Sequence, residues 1–171
     1  MELCKVLLTF ASLVVATSAA DWPLPSPEKT YLVQNSEDHG LLLVPQGSGE
    51  MCKRLSPVST TTEFSAPYDD KYKWTVTAPF NFTEGVIIYS KRQESGYMIN
   101  NLTNDESYPP YCYLMFRHVN LIPREGFGAM FSIQDVNSRM CLASSGLNNG
   151  APRWQSCEEV AAQIWAFIEA Q

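Results

Sequence analysis

The sequence predicts an all-β protein built from three similar units, and three observations lead to that prediction. Short apolar runs rich in β-branched and aromatic residues recur along the chain, and turn residues separate nearly all of them. Eleven prolines and nine glycines are spread over the 171 residues, which favours many turns and few long helices. Three anchors, Val33, Ile88 and Ile133, follow one another at intervals of 55 and 45 residues, about a third of the chain that remains without its apolar leader.

Each predicted unit has the order strand, polar turn, strand. Eight and nine residues after the three anchors stand Leu41-Leu42, Gly96-Tyr97 and Cys141-Leu142. The predicted strands are residues 31–33, 41–44, 72–77, 85–89, 97–99, 111–116, 119–122, 130–133, 140–143 and 164–168. The one helix candidate, residues 158–163, is long enough for a single turn or a 3₁₀ segment. This spacing of short strands is typical of a β-sandwich or a β-barrel.

The first and last units also share a tryptophan in their final strand, Trp74 and Trp165. The middle unit has no tryptophan there, and either Phe116 or Leu121 could take its place. A Ser/Thr-rich run, residues 56–62, accounts for the greater length of the first unit.

The N-terminus has the features of a secretory signal peptide, residues 1–20. Lys5 precedes an apolar core of about ten residues, too short to span a bilayer, and Ser18 and Ala20 occupy the two small positions before the expected cleavage site. The next segment, 21–30, is a proline-rich extended arm, and residues 31–171 are expected to form a single domain. We therefore expect a secreted, extracellular protein without a membrane span.

Four cysteines remain after the leader is removed, an even number that favours disulfide bonds in an oxidising compartment. The four are Cys52, Cys112, Cys141 and Cys157. A zinc site is not expected, because no two of them lie two to four residues apart and both histidines are isolated. No metal or cofactor is predicted. Two sequons, at Asn81 and Asn101, predict N-glycosylation of surface loops.

Residues 130–168 resemble the repeat of the ricin B-type β-trefoil lectin domain. The shared features come in order: Cys141-Leu142, a turn at Asn149-Gly150, Cys157, and the triplet Gln163-Ile164-Trp165. The resemblance implies a β-trefoil in which twelve strands close a small capped barrel without exposed edges. It also implies a buried Trp165 whose N–H needs a partner, with Gln163 bonding backbone beside it. It implies a Cys141–Cys157 bond, which leaves Cys52 and Cys112 as the second pair.

The same resemblance implies a shallow sugar pocket made by an Asp, an Asn and a stacking aromatic ring. In the third unit the Asp and Asn positions hold Ala143 and Ala162, and the Asp position holds Leu42 or Leu43 in the first unit and Met98 in the second. A displaced pocket would use Trp154 for stacking. Its polar neighbours would be Asn149, Asp135 and Gln163. The alternative is that these residues belong to turns, to a half-buried strand and to the core.

Catalysis is not expected. The chain has only two histidines and no G-x-S-x-G sequence, and its paired acids, such as Asp69-Asp70, are adjacent and so point different ways. The formal net charge of −6, without a basic cluster, argues against nucleic acid as a partner.

The sequence thus predicts a secreted recognition glycoprotein that binds an extracellular glycan or glycoprotein through degenerate sugar sites. The alternative is a protein-binding trefoil, for instance a protease inhibitor. Its contact loop would be residues 56–70, a long segment without strand character.

Overall fold

The computed structural model describes residues 24–44, 56–78, 85–91, 98–100, 109–113, 117–124 and 130–171. The predicted signal peptide, both sequons, Cys52 and Phe116 lie outside the described residues, so the expectations for them stay predictions. Among the described residues, no helix is long and apolar enough to cross a membrane.

The described residues form thirteen short strands and two single-turn 3₁₀ helices. The strands are β1 Thr30–Asn35, β2 Leu41–Leu43, β3 Ser56–Pro57, β4 Ser59–Thr61, β5 Lys73–Val76, β6 Ile88–Ser90, β7 Met98–Asn100, β8 Tyr111–Tyr113, β9 Val119–Pro123, β10 Met130–Asp135, β11 Cys141–Ala143, β12 Arg153–Gln155 and β13 Trp165–Glu169. The 3₁₀ helices are Asp70–Tyr72 and Ala161–Gln163, the second within the segment predicted to be helical. The arm, where described at 24–29, contains no strand.

Six strands close into a barrel. Strand β1 pairs with β5 and β13, β5 pairs with β6, and β10 pairs with β9 and β13. A bridge between Val86, just before β6, and Val119 of β9 completes the ring. Three antiparallel pairs, β2 with β4, β7 with β8 and β11 with β12, cap it. Each unit therefore supplies four strands, with β3 as an addition, and the predicted β-trefoil is confirmed.

The two tryptophans predicted to be equivalent make the same hydrogen bond. The indole N–H of Trp74 donates to the Leu42 carbonyl at 2.9 Å, and that of Trp165 donates to the Leu142 carbonyl at 2.8 Å. Both rings are fully buried, at 0% exposure. The partner that the buried indole of Trp165 was expected to need is thus a backbone carbonyl in the same unit.

The polar turn after each anchor also repeats between the first and third units. The amide of Gln34 donates to the His39 carbonyl at 2.9 Å, and that of Gln134 donates to the Arg139 carbonyl at 3.3 Å. His39 and Arg139 both have the left-handed backbone that closes a tight turn, with φ of 58° and 62°. The units therefore repeat in conformation even though only Gln34 and Gln134 are identical among these four residues.

The core lies inside the barrel and under the capping hairpins. All three anchors, Val33, Ile88 and Ile133, are buried in one cluster together with the tryptophans. Leu121, one of the two residues considered for the missing tryptophan of the middle unit, is buried in the same cluster.

The prediction that residues 56–70 lack strand character is wrong. Strands β3 and β4 lie within them, and the residues of β4 pair with Leu41–Leu43 of β2. Thr60 and Thr61 are β-branched and buried, at 1% and 4% exposure, so they fit a strand as Val would. The Thr60 N–H also donates to the Gly150 carbonyl at 2.8 Å, which ties this segment to the third unit.

The predicted Cys141–Cys157 disulfide is present, with the two Cα atoms 4.9 Å apart. It ties β11 to the segment that follows β12. The Cys52–Cys112 bond stays a prediction, because Cys52 lies outside the described residues.

Candidate functional site

In the hairpin of β11 and β12, strand β12 has one side toward the core and one toward solvent, whereas all three residues of β11 are buried. Leu142 is opposite Trp154, and both side chains are fully buried. Their neighbours in β12, Arg153 and Gln155, are exposed. Because side chains alternate along a strand, Arg153 and Gln155 lie on the outer face of the hairpin.

The stacking role predicted for Trp154 is wrong. Its ring is at 0% exposure within the main core cluster, and a sugar cannot stack on a ring without a free face. The error has a simple origin, since a shift of one residue along a strand moves a side chain to the opposite face. The residues that point outward are the two that flank Trp154.

Two more of the predicted ligands are buried and have structural roles. Gln163, at 1% exposure, donates to the Ser156 carbonyl at 2.8 Å and accepts from the Glu158 N–H at 2.7 Å. This is the backbone bonding beside Trp165 that the sequence predicted. Asp135, at 0% exposure, accepts from the N–H and hydroxyl of Ser138 at 2.7 and 2.8 Å. These bonds hold the turn after β10, so Asp135 does not reach a surface pocket.

Asn149 is exposed in the loop between β11 and β12. Its φ of 58° places it in the left-handed region, which Asn tolerates better than most residues. Asn149 is therefore a turn residue, which was the alternative interpretation of the sequence. It adjoins Gly150, which lines the pocket on the outer face of this hairpin.

That pocket, which we call the third-unit pocket, has a volume of about 360 Å³. It is lined by Ser144, Ser145, Leu147, Gly150, Ala151, Arg153 and Gln155. Two hydroxyls, an amide and a guanidinium give it donors and acceptors, and Leu147, at 66% exposure, gives it an apolar contact. Among the described residues that line the pocket there is no carboxylate.

The third-unit pocket adjoins both alanines that replace the polar residues of the family pattern. Ala143 is opposite Arg153 across the hairpin and precedes Ser144. The carbonyl of Ala162 accepts a hydrogen bond from the Ser144 N–H at 2.8 Å. Neither methyl group can bond a sugar hydroxyl, so the polar groups of this pocket come from adjacent residues instead.

Ser144 also connects the pocket with the first unit. Its hydroxyl donates a hydrogen bond to the Asp38 carboxylate, whose other oxygen accepts from the Gly40 N–H at 2.8 Å. The turn after β1 therefore fixes the orientation of Ser144. Across the described ranges, no group of three or more His, Cys, Asp or Glu residues is placed to hold a metal ion.

Comparison with known proteins yields structural matches only, since no family model and no curated protein matches the chain. The agglutinin of Rhizoctonia solani is 16% identical, with a TM-score of 0.69 over 86% of this chain and 99% of its own. A ricin B-like lectin of Macrolepiota procera, in complex with lactose, is 12% identical, with a TM-score of 0.66 over 85% and 99%. A designed threefold symmetric protein is 13% identical, with a TM-score of 0.61 over 81% and 97%. The chain therefore has the β-trefoil fold of ricin B-like lectins, as the resemblance implied.

Proposed function

We propose that this protein is a secreted carbohydrate-recognition protein without catalytic activity, and that its sugar site is the third-unit pocket. The observation that carries the proposal is the position of Arg153 and Gln155. They stand on the outer face of β12, around a pocket that adjoins both positions where the family pattern places its sugar ligands.

The chemistry of the pocket suits a sugar ring. Hydroxyl, amide and guanidinium groups can donate to and accept from neighbouring sugar hydroxyls, and exposed Leu147 can cover a C–H face of the ring. Hydrogen bonds to sugar hydroxyls largely replace bonds to water, and none of the described residues that line the pocket is aromatic. We therefore expect weak binding, with a Kd of about 1 mM. The lactose complex of the Macrolepiota procera lectin supports a galactose-containing ligand.

A glycan array with the mature chain tests this function. We expect signals that free galactose or N-acetylgalactosamine competes away. A blank array together with a protein partner that co-purifies with the chain would contradict carbohydrate recognition and support the protein-binding trefoil.

Arg153→Gln should weaken sugar binding at least about tenfold, because a charge-assisted hydrogen bond contributes on the order of 1.5–3 kcal/mol. Arg139→Asn is the matched control. It removes the same charge from an exposed position of the same unit, and Asn tolerates the φ of 62° found there. Calorimetric titration of both variants with lactose measures the effect. Equal affinities in the two variants would exclude Arg153 from the site.

A further inference from the structure

A second concavity, which we call the first-unit groove, lies beside the segment between β4 and the first 3₁₀ helix. It consists of two adjoining pockets of about 520 and 420 Å³, and Phe64 and Pro67 line both. The polar half is lined in addition by Glu63, Ser65, Asp69, Lys71 and Tyr72. The apolar half includes Leu32, Leu41, Ala66, Tyr68, Ile168 and Ala170, and three polar residues, Gln34, Glu169 and Gln171, also line it.

The groove depends on a long connecting segment in the first unit, which is shorter in the third unit. Residues 62–69 connect β4 to the first 3₁₀ helix, whereas the shorter segment 156–160 makes the equivalent connection after β12. The Cys141–Cys157 disulfide holds the short connection. In the long one, Phe64 and Tyr68 pack together, with ring centroids 6.1 Å apart, against a second buried cluster that contains Leu32, Leu41, Leu43 and Tyr72.

The apolar half can accept a hydrocarbon group. Leu32 and Leu41 are its buried wall, Tyr68 is half-buried, and Ile168 is 43% exposed at its side. Glu169 borders this half, but its carboxylate accepts a hydrogen bond from the Lys29 ammonium at 2.6 Å. That bond raises the pKa of Lys29. The positive charge of Lys29 therefore balances the negative charge of Glu169.

The polar half offers both donors and acceptors. One oxygen of Asp69 accepts from the Lys71 N–H at 3.1 Å, and no described residue donates to the other. The Lys71 ammonium lies 4.7 Å from the centre of the Tyr72 ring. Two carboxylates, from Glu63 and Asp69, disfavour an anionic group here, whereas a neutral polyhydroxyl group can use every polar side chain.

We propose that the first-unit groove binds a glycoside with an apolar aglycone. The sugar lies in the polar half and the alkyl or aryl group in the apolar half, with the half-buried Phe64 ring at the junction between them. A ligand of this kind matches both halves at once, whereas a free sugar or a hydrocarbon alone matches only one of them.

The test compares octyl and methyl β-galactopyranoside by NMR titration, with the octyl glycoside below its critical micelle concentration. The titrations use the Arg153→Gln, Gln155→Ala double variant, in which the third-unit pocket is disabled. Any binding that is observed then reports on the groove alone, whether or not the third-unit pocket binds sugar. We expect the octyl glycoside to bind at least about tenfold more tightly than the methyl glycoside, because burial of only two methylenes already contributes that much. Equal affinities, or no binding of either, would overturn the proposal.

Variants separate the two halves of the groove. Ile168→Ser should reduce the affinity for the octyl glycoside severalfold and leave that for the methyl glycoside unchanged, whereas Val160→Ser should change neither affinity. Val160 is the matched control because it is 41% exposed, against 43% for Ile168, and lines neither half.

Asp69→Asn, which keeps a side chain able to cap the 3₁₀ helix, should weaken binding of both glycosides severalfold. Equally tight binding of octylphosphocholine would contradict the assignment of the polar half to a sugar.

Discussion

Replacing Trp165 with alanine should lower the free energy of unfolding by about 3–5 kcal/mol, the range for loss of a large buried aromatic side chain. The ring is fully buried in the main core cluster, and its removal also deletes the hydrogen bond to the Leu142 carbonyl. Trp74→Ala should lower the free energy of unfolding by a similar amount. The Trp74 ring is equally buried, and its N–H makes the equivalent hydrogen bond, to the Leu42 carbonyl. Denaturant-induced unfolding of the two variants measures both costs.

Leu147→Ala is the control for these core variants, since Leu147 is 66% exposed and its loss should change stability by less than about 0.5 kcal/mol. An unchanged thermal midpoint in Trp165→Ala would contradict the trefoil core. A large cost for Trp165 with none for Trp74 would contradict the equivalence of the first and third units.

Trp154→Ala should also cost about 3–5 kcal/mol, because its ring is as deeply buried as that of Trp165. The phenylalanine variants should differ, however. No hydrogen-bond acceptor among the described residues reaches the Trp154 N–H, so Trp154→Phe removes an unsatisfied donor. Trp165→Phe breaks a buried hydrogen bond and should be about 1–2 kcal/mol less stable than Trp154→Phe.

The comparison of these two phenylalanine variants is informative because both lose the same atoms from fully buried sites. Urea unfolding of each, fitted with a common slope, measures the difference. Equal stabilities would mean that the indole bond to Leu142 contributes nothing. A stable Trp154→Ala variant that has lost sugar binding would instead place Trp154 in the ligand site.

The sequence was sufficient for the architecture because its strongest signals are local and repeated. The anchors Val33, Ile88 and Ile133 are hydrophobic at regular intervals, and the barrel interior is where such residues are buried. The ordered set from Cys141 to Trp165 carries the resemblance to the ricin B-type repeat, and that resemblance implied both the disulfide and the bonding of Gln163. Those features lie within one unit, so no long-range packing had to be known.

A misleading composition explains the error for residues 56–70, and a missing pattern explains the error for Trp154. A Ser/Thr-rich segment has the composition of a loop, but Thr60 and Thr61 are buried β-strand residues. Strand β12 has only three residues, too few to show a periodic pattern, so nothing near Trp154 indicated which face it occupies. Its exposed neighbours Arg153 and Gln155 were missed for the same reason.

The first-unit groove could not be predicted, because it is made by residues far apart in the chain. Phe64 and Ile168 are separated by about a hundred positions and line one concavity only because β1 pairs with β13. Exposed polar side chains such as Arg153 likewise follow no periodic pattern in the sequence. Arg153 and Ser144 line the same pocket because β11 pairs with β12.

Backbone chemical-shift mapping during a titration with lactose shows whether the outer face of the β11–β12 hairpin binds sugar. We expect saturable shifts at Ser144, Ser145, Gly150, Arg153 and Gln155. The amides of β5, whose residues do not line this pocket, should not move. Shifts confined to the first-unit groove, or no saturable shifts at all, would rule out a sugar site on this hairpin.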